Sequence, residues 1–292
     1  MRKRVLEILA TAAGVATVLV LSGCGTVSTS TSSSSSNSNS NLTSVPTSTS
    51  TPSKPTPETM VLAQYWVANT ARGLRLYREF ARLEVSPDPI TAALRALVTS
   101  QPKDSDYISL WPLGTKINSV AVSGNVATID LTFGNLKLGV EGERLAIAQV
   151  VWTATAADPS VTKISLIVDG KKVESLAGHV DATVTFTRAP TYEVLAPVWI
   201  TSPEEGVEIG AKGFTLSGLA STFEANVVWK VSQNGKLIKQ GSTTSLGAAP
   251  AWEPWSVVIS GLTPGVYQFA AMEFSAMDGS LVAQDTKTAT LK

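Results

Sequence analysis

The chain has 292 residues, with 23 basic and 23 acidic side chains, one histidine and one cysteine. Such a balance excludes the concentrated basic face that nucleic-acid binding needs, and a single cysteine excludes an intramolecular disulfide. One histidine without a second cysteine also excludes histidine-rich or thiolate zinc sites and a cysteine–histidine dyad.

The N-terminus reads as an address. Arg2, Lys3 and Arg4 precede an apolar run from Val5 to Leu21, broken only by Glu7 and small residues. The run is too rich in Ala and Thr for a membrane span, which takes about 20 strongly apolar residues, and it fits a secretory signal over residues 1–23. It closes on Leu21-Ser22-Gly23-Cys24, which resembles the lipobox of bacterial lipoproteins. The resemblance implies cleavage before Cys24 and lipid on its sulfur, with the membrane as partner through that covalent anchor. Two acyl chains hold stably where one does not. Removing Arg2, Lys3, Arg4 and Glu7 with the signal leaves 20 basic and 22 acidic residues.

Residues 24–59 form the next segment. From 26 to 57 they are almost wholly Ser, Thr, Asn and Pro, with Lys54 the single charge. A segment so poor in apolar groups cannot offset its ordering entropy and reads as a disordered tether, spanning roughly 30 Å on average as a flexible coil.

Residues 60–190 carry mixed periodicities. Val61 to Ala68 is apolar and aromatic, a strand, and Asn69 to Gly73 supplies a turn. Leu74 to Val85 fits two patterns: Arg72, Arg75, Arg78 and Arg82 stand near helical spacing, while Leu74, Leu76 and Phe80 fit a strand returning against Tyr65-Trp66-Val67. We read the hairpin. Pro89 to Val98 is a helix capped by Asp88. Ile117 to Val122 and Val126 to Leu131 alternate on either side of Ser123-Gly124-Asn125, a hairpin. Leu145 to Ala156 reads as a buried helix and Val161 to Val168 as a strand ending at Asp169-Gly170. Together these make an α+β domain.

The ordered set of Trp111-Pro112-x-Gly114-Thr115, Ala127-Thr128-Ile129-Asp130-Leu131, Ala148-Gln149-Val150-Val151-Trp152-Thr153 and Ile167-Val168-Asp169-Gly170-Lys171 resembles the GerM-type sporulation and spore germination domain. The resemblance implies a non-catalytic, extracytoplasmic domain with a protein-interaction role.

Helical periodicity disappears over residues 197–292. Short apolar runs recur at Val198–Ile200, Phe214–Leu216, Val227–Val231, Leu237–Ile238, Val257–Ile259, Tyr267–Ala271 and Leu281–Val282, with bends at Ser202-Pro203, Asn234-Gly235, Pro264-Gly265 and Asp278-Gly279. About seven strands in this length read as an all-β immunoglobulin-like sandwich, with Trp229 in its core. Ile200-x-Ser202-Pro203, Gly218-x-Ala220, Phe223-Glu224-Ala225-Asn226-Val227, Trp252-x-Pro254-Trp255 and Ser275-Ala276-x-Asp278-Gly279 resemble the immunoglobulin-like domain of bacterial spore germination proteins. The Phe-Glu-Ala-Asn-Val run is the most specific of these.

The chemistry of catalysis finds little purchase. His179, beside Gly178, reads as a surface or turn histidine. No Gly-x-Ser-x-Gly elbow, phosphate-binding glycine loop or dinucleotide fingerprint occurs. Asp104 and Asp106 fall in a loop, and Glu141 and Glu143 fall at a helix start, where they favour the dipole. We therefore expect no enzyme and no cofactor. Two features suit binding: the arginines, above all Arg75 and Arg78, for an anionic wall polymer or headgroup, and Trp252 and Trp255 for a glycan or a protein. The overall expectation is a lipid-anchored module on the outer face of the cell membrane. Its partner would be an envelope protein or, alternatively, cell-wall glycan, in a sporulation- or germination-related role.

Overall fold

The computed structural model describes residues 57–210 and 212–292; the signal segment, Cys24 and nearly all of the tether lie outside the described residues. Strand β1 (Thr59–Thr70) and strand β2 (Gly73–Glu84) form an antiparallel hairpin in continuous register from Thr59 opposite Glu84 to Thr70 opposite Gly73. Leu62 to Ala68 are buried without alternation, so β1 is covered on both faces, as a run apolar but for Gln64 requires. Helix α1 (Pro89–Thr99) starts with proline in its first turn, and the Asp88 carboxylate accepts the Thr91 N–H at 2.8 Å, satisfying one orphan donor of the helix.

Strands β3 (Lys116–Ser123) and β4 (Val126–Thr132) make the second hairpin, turning through Gly124 at φ 57°. Helix α2 (Val140–Ala157) then carries the chain to strand β5 (Lys163–Val168), which pairs with β4 in parallel. Parallel neighbours need a crossover of this length, and α2 fills it while packing on β1 and α1. Gln149 and Thr153 on α2 are polar yet fully buried, and the neighbouring backbone explains them. Thr153 accepts the Tyr65 N–H at 3.2 Å. Gln149 donates to the Tyr65 carbonyl at 2.9 Å and accepts the Leu110 N–H at 3.1 Å. The helix thus satisfies backbone groups of β1 that its hairpin partner cannot reach.

After a four-residue helix, α3 (Thr191–Val194), the chain is all β. Strands β6 (Val198–Ser202), β7 (Glu208–Ile209), β8 (Phe214–Ala220), β9 (Asn226–Gln233), β10 (Lys236–Thr244), β11 (Glu253–Ile259), β12 (Gly265–Phe274) and β13 (Leu281–Leu291) form two sheets, ordered β10-β9-β12-β13-β7 and β11-β8-β6. Their inner faces enclose a core that includes Val227, Val231, Ile259, Phe269 and Leu291. Trp229 is half-buried at the edge of that core, its ring lying over Gly241 on the paired strand, where an added Cβ would approach to 2.6 Å. Gly218 is required for the inter-strand fit of β8: a Cβ there would stand 1.7 Å from the Trp199 carbonyl oxygen. The architecture is an α+β domain followed by an immunoglobulin-like sandwich.

Among the described residues the two regions share one compact unit. Trp199 of β6 belongs to the core of the first region, and Leu219 and Trp252 pack against that core. Hydrophobic burial therefore crosses the boundary instead of stopping at it.

Candidate functional site at the domain junction

The junction has a sealed part and an open part. In the sealed part, Asp285 and Lys287 of β13 meet Tyr77 of β2 and a loop carrying Asp104, Asp106 and Tyr107. Lys287 Nζ donates to Asp104 Oδ2 at 2.5 Å, to the Tyr107 hydroxyl at 2.6 Å and to Asp285 Oδ1 at 3.1 Å. Asp285 accepts the Tyr107 O–H at 2.5 Å and the Ile200 N–H at 2.6 Å. Tyr77 stacks on Tyr107 with centroids 4.9 Å apart and donates to the Gln284 carbonyl at 2.7 Å. Lys287, Asp104 and Asp285 are each at most 4 % exposed at the side chain.

Burial and neighbouring carboxylates push the Tyr107 and Tyr77 hydroxyls upward, so both remain hydrogen-bond donors. Burial pushes Asp285 up to about 6 against the pull of Lys287, Tyr107 and Ile200. Burial also opposes the charge on Lys287, but Asp285 and Asp104 overcome it and hold its pKa above the ordinary value. The two carboxylates have the proximity of an acid–base pair, yet Lys287 bridges them. The cavity that Lys287 lines is about 20 Å³, the size of one water. This cluster is a lock between domains and admits no substrate.

The open part is a cleft of about 230 Å³ beside the tip of the β1–β2 hairpin. From the first region it is lined by Arg72 and Arg75 of the β1–β2 hairpin and by Tyr192 of α3. From the sandwich it is lined by Phe223, Trp252 and Glu273. The hairpin tip is fixed because the Leu74 N–H donates to Glu141 at 3.1 Å, and Gly73, at φ 88°, leaves no room for a Cβ beside that carboxylate. Burial lowers the Arg75 pKa, partly offset by Glu141. Neither Arg72 nor Arg75 has a carboxylate within 4.0 Å among the described residues.

Trp252 packs at a tilt of 48° on Trp199, with a centroid distance of 4.7 Å, and lines the cleft as well. Phe223 stands at the start of a strained turn, where Glu224 and Ala225 take φ of 52° and 58°. Such values are uncommon for residues with a Cβ, and the turn is held by the Phe223 N–H on Glu273 at 3.3 Å and the Ser245 N–H on the Ala225 carbonyl at 2.9 Å. Glu273 is 7 % exposed, and its Oε2 has no hydrogen-bond partner among the described residues. Burial pushes its pKa upward against the Phe223 N–H and the charge of Arg72.

The binding residues expected from sequence thus separate. Arg75 and Trp252, 177 positions apart, converge on this cleft. Arg78 does not: its guanidinium lies 4.7 Å over Phe80 and 5.3 Å over Trp199. Trp255 is corrected as a surface candidate. It is 2 % exposed, and its Nε1 donates to the Trp199 carbonyl at 3.1 Å, so it packs the sandwich and presents no ring. His179 is exposed, as read from sequence, and only its backbone N–H is engaged, on Glu143 at 2.8 Å.

Glu143 does more than favour a helix dipole. Fully buried, its carboxylate accepts the N–H groups of Leu176, Ala177, His179 and Val180 at 2.8 to 3.2 Å. Burial opposes its charge, but the four donors outweigh that and hold its pKa below the usual range. No group of His, Cys, Asp and Glu among the described residues has the arrangement of a metal site.

Comparison with family models places two domains on this frame. Residues 63–174 match the family described as Germane, sporulation and spore germination, and residues 197–280 match Gmad2, the immunoglobulin-like domain of bacterial spore germination. The chain carries a sporulation and spore germination domain followed by a spore-germination immunoglobulin-like domain. The cleft is therefore built by both domains, and the Phe223 turn belongs to the second.

Comparison with curated proteins gave no match. Among solved structures, the tandem GerMN domains of the sporulation protein GerM from Bacillus subtilis are 22% identical over 49% of this chain and 50% of that one, with a TM-score of 0.38. The first GerMN domain of the same protein is 20% identical, covering 42% and 92%, with a TM-score of 0.36. A candidate lipoprotein from Clostridium perfringens is 20% identical, covering 44% and 88%, with a TM-score of 0.32.

Proposed function

We propose that this chain is a non-enzymatic binding module held on the outer face of the bacterial membrane by lipid on Cys24, presenting its two germination-type domains as one body to an envelope partner. The observation that carries the reading is the sealed junction: a buried ion cluster and a shared apolar core join two domains whose families both bear spore-germination names. A fixed pair offers a composite surface that neither domain has alone. No helix among the described residues is long and apolar enough to cross a membrane.

The test takes the native protein beside a Cys24→Ala variant, with membrane fractionation, intact mass and in-cell crosslinking. We expect the parent in the membrane fraction with an acylated Cys24, crosslinked to an envelope protein, and the variant in the soluble fraction. Release of both proteins would overturn the anchor. An anchored parent that crosslinks to no envelope component would overturn the module.

A second reading, a receptor for cell-wall glycan, is favoured by one observation. Arg75 and Trp252 come from different domains to line the same cleft.

A further inference from the structure

The junction cleft combines features that rarely coincide on a surface without a ligand. Tyr192 is 66 % exposed and Phe223 58 % exposed, and both line it together with Trp252. Large aromatics left in water are costly unless they meet a partner. The Phe223 ring is also held out by a turn with two consecutive non-glycine residues at positive φ, and such strain persists where the surrounding structure over-determines it. The cations Arg72 and Arg75 stand at the same cleft without an ion-pair partner among the described residues. Glu273 also lines the cleft, more than nine-tenths buried, with Oε1 on the Phe223 N–H and Oε2 closed off from solvent.

Each feature selects part of a ligand. Aromatic walls take a ring with an apolar face, and the C–H face of a pyranose meets that need while its rim stays polar. A guanidinium takes a carboxylate in bidentate fashion, and Arg72 is exposed while Arg75 spends one nitrogen on the Leu74 carbonyl at 2.7 Å. A volume of about 230 Å³ admits a single sugar unit and excludes a folded protein element. The cleft is also built from both domains, so a ligand there binds only the locked form.

We propose that the junction cleft binds one carboxylate-bearing amino sugar, with the ring against Tyr192, Phe223 and Trp252 and the carboxylate on Arg72 and Arg75. The proposal rests on the glycan reading above and gives it a site and a chemistry.

The test uses residues 24–292 in solution, titrated with N-acetylmuramic acid and with N-acetylglucosamine, which shares the acetylated amino sugar and lacks the carboxylate. Binding is followed through the Trp252 indole N–H and the amides of 192 and 223 by NMR. We expect N-acetylmuramic acid to move these signals and to bind at least about tenfold more tightly than N-acetylglucosamine, the scale of a charge-assisted hydrogen bond. Arg72→Gln and Tyr192→Ala, both at exposed positions, should each weaken it several-fold with unchanged folding. Equal binding of the two sugars, or shifts confined to other residues, would overturn the site. If neither sugar binds at the cleft while the chain still sediments with whole cell wall, the site fails and the glycan reading stands; if wall sedimentation also fails, both fall.

Discussion

Replacing Lys287 by methionine removes one charge from the junction while keeping most of the side-chain volume. In the folded protein its ammonium reaches Asp104, Tyr107 and Asp285 at 2.5, 2.6 and 3.1 Å, with no more than 4 % exposure of any of the three charged side chains. Without it, two carboxylates remain buried beside one another with only neutral donors: the Tyr107 hydroxyl and Ile200 N–H for Asp285, and the Asp106 N–H for Asp104. Breaking a buried pair in this way costs about 3–5 kcal/mol, far more than the lost packing of a lysine stem. Equilibrium urea unfolding at pH 7, followed by tryptophan fluorescence, measures it. The loss should shrink toward pH 5, because a proton taken up by either carboxylate relieves the repulsion. A loss below about 1 kcal/mol at pH 7, against the range for such pairs, would show that the cluster is open to water and that the reasoning from burial is wrong.

Other outcomes follow from the same contacts. Asp285, raised to about 6 from an ordinary 3.8, binds its proton more readily folded than unfolded. Its contribution is therefore fully present below pH 4 and is lost as pH rises through about 6, a span worth about 3 kcal/mol; Asp285→Asn should flatten that slope in urea titrations across pH 4 to 7. Glu143→Gln weakens four backbone hydrogen bonds and should cost about 2 kcal/mol, with amide exchange accelerating at residues 176–180. In the parent, the depressed Glu143 stabilises above its unfolded pKa, and that share is lost as pH falls below the carboxylate range. Trp255→Ala should destabilise by about 3–5 kcal/mol as a core truncation, whereas Tyr192→Ala should stay within about 0.5 kcal/mol, both read by thermal unfolding.

Local signals carried much of this fold. Asp88 before Pro89, the Ser123-Gly124-Asn125 turn and the largely apolar run through β1 are each decided by residues within a few positions of one another, and each stands where sequence puts it. The hairpin of β2 prevailed over helical spacing of the arginines because its apolar residues had β1 to pair with. Helix α2 begins at Val140, five residues before the expected Leu145, because Gly139 and Gly142 weaken the local helical signal while Glu143 secures that turn through a loop more than thirty residues away. The two-residue β7 pairs with β13 in parallel and is too short to leave a pattern. The junction was illegible for a similar reason. Lys287 and Asp104 lie 183 positions apart, and no periodicity announces that a loop and a final strand will meet. Arg75 and Trp252 were visible as chemistry, and their meeting was not. Trp255 shows the converse, since a tryptophan beside a proline looks the same in sequence whether its ring faces water or a core.

An ion cluster at a domain boundary is weak evidence for stability, since well-packed apolar residues do as well or better. What such a cluster supplies is selectivity of arrangement: every donor and acceptor here has a partner in one docking geometry, and a slipped interface would leave buried charges unpaired. That geometry places Arg72 and Arg75 of one domain opposite Phe223 and Trp252 of the other. A junction of neutral side chains tests the argument directly. In the variant Asp104→Asn/Asp285→Asn/Lys287→Met the buried charges are gone, so global stability should fall by less than for Lys287→Met alone, while the arrangement loses its charge selectivity. NMR signals of Tyr192 and Phe223 should then broaden or double, with those of Val227 and Phe269 inside the sandwich core unchanged. Sharp, unshifted signals at the cleft would mean that apolar contacts across the boundary, such as Trp199 on Tyr65, fix the domains by themselves, and that the ions are passengers in the interface.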